Sequence, residues 1–334
     1  MSDMLNEKTV ILKMRCPSCG DDLGEFPTPE QHSVQCPKCD YKMIWEGDCW
    51  DACVDKLYPR DFARQWVLWE AGRLGDPNVV YGNDPKYYFE TLLKETGLTE
   101  EDLKSMKILE VAFGHGRLLH QLQQRSPTAY GLDLSRPLPS AQLRPGSAVF
   151  GNLLDMPFVP GQFDLVICRG VVHHTPDPHK SFDCVAQQVE DNGLLYFAGH
   201  YEPGIKGSLI LRKVLPWSWH YPEILRLKLS SALSVLRAAL EAIQTRKFDY
   251  KSFKRSYAHY KLDIFDVITP RWTSLHAEDE VKSWFTLQGF QAKRVAPGQY
   301  VGVKTGTAQV HQNVLRQRRG TTSDFFQRTR DISL

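Results

Sequence analysis

The chain has no long apolar run. Its apolar content of 42% is ordinary for a globular protein, yet no stretch approaches the ~18 to 20 uninterrupted apolar residues of a bilayer-crossing helix. The first residues, Met1-Ser2-Asp3-Met4-Leu5-Asn6-Glu7-Lys8, lack the basic start and apolar core of a secretory leader. These two absences predict a cytoplasmic chain without a membrane span. Net charge is also scarce, at +2, and the pI of about 8.1 falls short of the strongly basic value of a dedicated nucleic-acid domain. Eight cysteines in 334 residues are too few and too clustered for a disulfide framework. No internal repeat is present.

What charge there is lies apart. Between Ile205 and Lys261 there are 12 Lys and Arg against 3 Asp and Glu, so this segment carries +9 and the remainder −7. Four of the cysteines are also grouped. Cys16-Pro17-Ser18-Cys19 and Cys36-Pro37-Lys38-Cys39 are two CxxC knuckles separated by sixteen residues. Two such knuckles supply the tetrahedral four-sulfur set that Zn²⁺ favours, and a segment this small draws its folding energy from the metal. The pattern resembles a zinc ribbon with a structural, coordinatively closed site. Cys49 and Cys53 have the wrong spacing for a third knuckle and read as core or surface thiols.

From Asp51 to about Gly72 an aromatic-rich stretch reads as helical, with Trp66 and Trp69 sharing a face for packing. A second helix spans about Lys86 to Thr96 and stops at Gly97. Strands are predicted at Lys107–Glu110, Thr128–Asp133, Ser147–Gly151, Phe163–Cys168 and Gly193–Gly199, with a helix at Pro178–Glu190. Strands alternating with helical segments imply an α/β fold with a doubly wound, Rossmann-like parallel sheet. The basic segment interrupts the alternation with an Ala/Leu-rich helix, Ser230–Arg246, flanked by aromatic clusters. A helix at His276–Gln288 and strands at Phe290–Ala296 and Gln299–Lys304 close the pattern. The organisation expected is a ribbon over 1–48, a helical cap over 49–105, a catalytic domain over 106–308 with a lid insertion at 202–271, and a polar basic tail over 309–334.

The sheet is organised around Glu110-Val111-Ala112-Phe113-Gly114-His115-Gly116-Arg117, an acidic strand end followed by a small-residue turn and a helix start. Glycines there bring bare backbone close to a ligand, and Asp133 at the next strand end suits ribose hydroxyls. No third glycine follows at the dinucleotide spacing. The runs Asn152-Leu153-Leu154-Asp155-Met156-Pro157-Phe158, Phe163 to Arg169, and Val172-His173-His174-Thr175-Pro176-Asp177-Pro178, with Gly193-Leu194-Leu195, resemble the class I S-adenosylmethionine-dependent methyltransferases. The branch is the one that includes ubiquinone and menaquinone biosynthesis enzymes. The resemblance covers about Met106 to Lys304 without the insertion, and implies a sheet of about seven strands.

The resemblance implies that Gly114 and Gly116 face the methionine part of S-adenosylmethionine and that Glu110 holds its amino group. It places Asp133 on the ribose, Leu134 on the adenine, Asn152 and the Leu153 amide on the adenine edge, and Arg169 near the methyl group. Ala112 stands where the family turn has its first glycine, Asn152 where an Asp is expected, and Arg136-Pro137-Leu138-Pro139 where a helix usually follows.

Methyl transfer asks for a nucleophile held in line and for excluded water, and for a base when the nucleophile keeps its proton. His174 is the first candidate base, with His200 and Tyr201 after the fifth strand as further candidates. The His-His-Thr-Pro-Asp-Pro run is equally readable as loop packing. A basic, aromatic lid suits a small anionic, partly apolar acceptor such as a prenyl diphosphate or quinone precursor. RNA methylation held by the ribbon and lid is the alternative, and a non-catalytic scaffold is another.

Overall fold

The computed structural model describes residues 12–54, 61–76, 86–198, 210–246 and 249–305. The elements in chain order begin with five short strands, β1 (Lys13–Arg15), β2 (Asp22–Glu25), β3 (Ser33–Gln35), β4 (Lys42–Trp45) and β5 (Trp50–Asp51). Three helices follow, α1 (Asp61–Glu70), α2 (Tyr87–Thr96) and α3 (Glu100–Leu103). The alternating part comprises β6 (Ile108–Val111), α4 (Arg117–Gln123), β7 (Ala129–Asp133), β8 (Ala148–Phe150), β9 (Phe163–Arg169), α5 (Pro178–Ala186) and β10 (Val189–Ala198). The insertion contributes α6 (Ile210–Val214), α7 (Glu223–Thr245) and α8 (Tyr250–Ile268), and α9 (Glu278–Leu287), β11 (Phe290–Ala296) and β12 (Gln299–Lys304) end the described chain.

One sheet of ten strands runs β11-β12-β10-β9-β6-β7-β8-β5-β4-β3. Strands β10, β9, β6, β7 and β8 are parallel, and β12 and β11 add an antiparallel edge. These are the seven strands expected. The count rises to ten because β5 pairs parallel with β8, Trp50 opposite Val149 and Asp51 opposite Phe150, and carries β4 and β3 with it. Trp50 and Asp51 are thus strand, where the sequence pattern suggested the start of a helix.

The sheet is apolar on both faces because residues alternate along each strand. Leu109, Val111, Val166, Cys168, Leu195 and Phe197 pack on one side with α5 and α9, together with Met14, Met43 and Trp50 from the cysteine-rich segment. Ile108, Leu165, Ile167, Leu194 and Tyr196 pack on the other with α2 and α4. A backbone bond from Arg15 N–H to the Pro157 carbonyl (2.8 Å) also ties β1 to the loop before β9. Arg136, in the proline-rich turn after β7, pairs with Glu46, Asp48 and Asp51 and lies over the Phe150 ring at 5.1 Å. Cys49 and Cys53 are buried beside Phe150.

Several boundaries differ from the sequence pattern, among them that of α7, which begins at Glu223 instead of Ser230. The helix predicted to Glu190 ends at Ala186, and β10 begins at Val189, because Val189 pairs with Phe163 ahead of an irregularity that ends at Leu194. The aromatic flank at Tyr250 to Tyr260 is itself helical. It forms most of α8, which starts where Asp249 accepts the Ser252 N–H (2.8 Å) and buries Leu262, Phe265 and Ile268.

Candidate functional site

Chain order reverses between β6 and β9, with β7 on one side and β10 on the other. In an open parallel sheet the ligand crevice opens at the carboxyl ends of the strands at such a switch point. A cleft is found there. Ala112, Gly114, Asp133, Leu134, Asn152, Leu153, Arg169 and His174 all line it, so eight residues singled out in the sequence share one wall.

The turn after β6 is held in a left-handed path, with φ of 60° at Ala112, 56° at Gly114 and 76° at Gly116. A Cβ on Gly114 would stand 2.8 Å from the Trp66 ring, and one on Gly116 would stand 2.7 Å from the Ala141 side chain. Gly116 caps α4 and lies behind the cleft rather than on its wall. Asp133 ties the turn to β7, because its Oδ2 accepts the Gly114 N–H (2.7 Å) and its Oδ1 accepts the Ser135 N–H (2.6 Å) and hydroxyl (2.5 Å). Burial pushes the Asp133 carboxyl up and these donors pull it back. Asn152 caps the short turn over Leu153–Asp155, its Oδ1 accepting the Leu154 N–H (3.1 Å).

Glu110 lies just beneath the wall. It is 5% exposed, and its Oε2 has no hydrogen-bond partner among the described residues. Burial pushes its carboxyl up to about 8, against the pull of Arg169 and with a smaller push from Asp133. Arg169 stacks over Tyr88 at 4.0 Å, and its Nε is buried without a hydrogen-bond partner among the described residues. A carboxylate oxygen left unpaired in the interior is costly. Beside a glycine cradle it is where an ammonium group fits.

His115, inside the turn, stacks on Trp69 (5.3 Å) and Tyr88 (6.1 Å), and its Nδ1 accepts the Arg117 N–H (3.1 Å). Burial, with Arg117 and Arg169 close by, brings its pKa down to about 3. It is a neutral packing residue.

At the far end of the cleft, His174 projects from the turn after β9. Its Nδ1 lies 3.2 Å from the Trp272 carbonyl, an acceptor only, so Nδ1 carries the proton and Nε2 is the basic nitrogen. Asp266 of α8 stands 3.8 Å from that Nε2 and accepts from the Gln65 amide of α1 (3.2 Å). His173 is buried, and its carbonyl accepts the Ser274 N–H (2.9 Å). Arg271 and Trp272 complete the wall, held by Arg212, which donates to the Pro270 (2.8 Å) and Arg271 (3.1 Å) carbonyls. The candidates His200 and Tyr201 lie outside the described residues.

The pattern did not reveal Trp66 and Arg271 as cleft residues, nor Asp266 as the carboxylate behind His174. Trp66 shares a face with Trp69, which signals packing, and Asp266 sits 92 positions from His174 in a segment with no spacing signature. Away from the cleft, the sulfurs of Cys16, Cys19, Cys36 and Cys39 lie within 4.8 Å of one another, with contacts of 3.6 Å between Cys16 and Cys39 and between Cys19 and Cys36. Tetrahedral thiolates at about 2.3 Å from Zn²⁺ stand about 3.8 Å apart. The cluster is compatible with a zinc ribbon.

A doubly wound sheet with a glycine-lined turn at its switch point is the architecture of a Rossmann-like methyltransferase domain, and the chain is similar to the S-adenosylmethionine-dependent methyltransferases. Its residues 109–197 match the family model described as a methyltransferase domain. Among curated proteins it is similar to the ubiquinone biosynthesis O-methyltransferase of Paracidovorax citrulli, 27% identical over 176 residues that span 47% of this chain and 72% of that one. The enzyme of the same name from Thiobacillus denitrificans is 28% identical over 166 residues, 45% of this chain and 70% of its own. Among solved structures, a sugar N-methyltransferase from a Streptoalloteichus species is 14% identical with a TM-score of 0.41, covering 72% of this chain and 93% of its own.

Proposed function

We propose that this methyltransferase transfers its methyl group to a hydroxyl oxygen of a small, anionic and partly apolar metabolite of the quinone-precursor, prenyl-diphosphate or related natural-product type. The observation that carries the reading is the pairing of His174 with Asp266 on a cleft wall that also bears Arg169, Arg271, Trp66 and Trp272. Two guanidinium groups suit a carboxylate or phosphate, and the two indoles suit a flat or apolar body. The curated relatives named above are O-methyltransferases, which favours oxygen over carbon or nitrogen as acceptor.

The cofactor supplies a methyl group already activated on a sulfonium. In this assignment Glu110 receives the amino group, Ala112 and Gly114 leave room for the methionine part, and Asp133 accepts from the ribose. Leu134, Asn152 and Leu153 hold the adenine. Trp66 and the insertion exclude water. His174 Nε2 would accept the acceptor hydroxyl's proton, and Asp266 would stabilise the resulting imidazolium. Asp266 is a positioning residue and Gln65 holds it. Cys16, Cys19, Cys36 and Cys39 would hold Zn²⁺ in a structural role.

Labelled-methyl transfer into fractionated lysate, followed by mass spectrometry of the labelled compound, tests the acceptor class. A methylated amine or carbon, or a cationic product, would overturn it. His174→Ala lowers kcat by roughly 10²-fold or more, while cofactor affinity holds. Asp266→Asn lowers kcat by a smaller factor with KM and cofactor affinity unchanged. Unchanged kcat in both variants would show that no base acts through His174.

A further inference from the structure

Helix α7 carries apolar residues on its outward side as well as its inner one. Towards α8 it buries Leu227, Ser230, Ser234 and Ala238, and Leu229 and Leu233 pack against Ile264, Val267 and Ile268. A second set of large apolar residues points out. Ile224 is 54% exposed, Val235 49%, Leu236 58%, Leu240 50% and Ile243 61%. With Leu225, 41% exposed, Leu236, Leu240 and Ile243 lie eleven, four and three residues apart and share one stripe, about 27 Å long at the rise of an α-helix, with Ile224 and Val235 along its edge. Polar outward faces are the rule for surface helices, and a contiguous apolar one marks an interaction site.

Charge decides among its occupants. Lys228 flanks the stripe, and a groove beside it, floored by Ile224, Leu227 and Val235, is rimmed by Arg73, Lys228 and Lys261. The segment carries +9 overall, and Glu223, at the head of the helix, is already engaged by Arg64 (2.6 Å). A second copy of the chain would bring Lys228 and its neighbours against their own kind, which opposes pairing. An anionic lipid surface satisfies both features at once. Among the described residues no helix is long and apolar enough to cross a membrane, and a long helix with an apolar stripe and basic flanks instead lies in the interface plane. We infer that α7 docks the enzyme on the surface of an anionic bilayer. The opposite side of α7 packs on α8, whose Asp266 reaches His174 on the cleft wall, so docking places the cleft on the membrane side of the molecule. The inference does not depend on the acceptor class.

Sedimentation of the full chain, zinc-replete, with vesicles tests it. Vesicles of phosphatidylcholine mixed with phosphatidylglycerol retain roughly tenfold more protein than vesicles of phosphatidylcholine alone, and salt weakens the difference. Leu236→Glu with Leu240→Glu abolishes retention, and Lys228→Glu with Lys261→Glu erases the preference for the anionic lipid. Ile243→Glu, a single change at an exposed position, repeats the loss should the double variant fail to melt like wild type by circular dichroism. Equal retention on both vesicles, retention by neither, or undiminished retention of the Leu236/Leu240 variant overturns the inference. So does a wild-type dimer in light scattering that the same variant splits while no vesicle is bound, because the stripe then belongs to a second copy.

Discussion

At Ala112 a side chain occupies a backbone conformation that favours glycine. With φ at 60° the Cβ stands against its own carbonyl, a strain of about 1 kcal/mol. Ala112→Gly relieves it at the cost of unfolded-chain entropy, so a stability gain below about 1 kcal/mol is expected in urea titration, with cofactor affinity retained. Gly114→Ala has the opposite sign. The new methyl strikes the Trp66 ring, and thermal melting together with cofactor titration should show both stability and affinity lost. Two buried groups set the pH response. Glu110, raised from 4.5 to about 8, contributes stability that is full below pH 4.5 and is lost as pH rises through about 8. Cofactor binding reverses its preference, because an ammonium needs the carboxylate. Affinity measured by calorimetry should therefore rise with pH up to about 8 and level off, with proton release near neutrality, and Glu110→Gln should flatten the rise. His115, lowered from 6.5 to about 3, contributes stability that is full above pH 6.5 and is lost as pH falls through about 3. The loss is at most about 1.4 kcal/mol per pH unit, and His115→Phe should remove that slope from the acid limb of the melting temperature.

Among the elements, the cysteine-rich segment is coupled more closely to the catalytic sheet than its own pattern implies. Its strand β5 extends the edge of the sheet beside β8, and Arg136 fastens the turn after β7 to Glu46 and Asp51. Loosening the four sulfurs therefore reaches Asp133 through β8 and β7. Removal of metal by a strong chelator should lower the melting temperature of the whole chain in a single transition and weaken cofactor binding, with both restored by Zn²⁺. A separate low-temperature transition that leaves cofactor affinity intact would show the segment to be an independent unit. The CxxC spacing and the acidic strand ends were legible because the cysteine pairs and each strand end with its turn lie within a few residues. The extension of the sheet was not, since a two-residue strand carries no periodicity and its pairing partner lies almost a hundred positions away. The cleft followed the same division. Glu110, Gly114 and Asp133 belong to one local corner, whereas Trp66 and Arg271, and Asp266 behind His174, arrive from α1 and from α8 and the residues beyond it through tertiary packing.

For the molecule as a whole, those last three residues imply that the cap and the insertion act as one cover. Arg64 of α1 pairs bidentately with Glu223 of α7 (2.6 and 3.1 Å), and Gln65 reaches Asp266 of α8 (3.2 Å). Trp66, the next residue, rests on Gly114. A single helical turn thus touches the cofactor corner and both long helices of the insertion. A ligand that orders Gly114 and Trp66 orders Arg64 and Gln65 with them, and through them the α7 start and the α8 end. Hydrogen exchange with and without cofactor should show protection in α1 that extends to Glu223–Leu227 and to Leu262–Ile268. The outer end of α7, near Ile243, should exchange as before. Gln65→Ala should uncouple the two, leaving α1 protected and the end of α8 not. Protection of α8 that survives this variant would mean that the insertion is ordered by the cleft directly, with Arg271 and Trp272 as the contacts that transmit it.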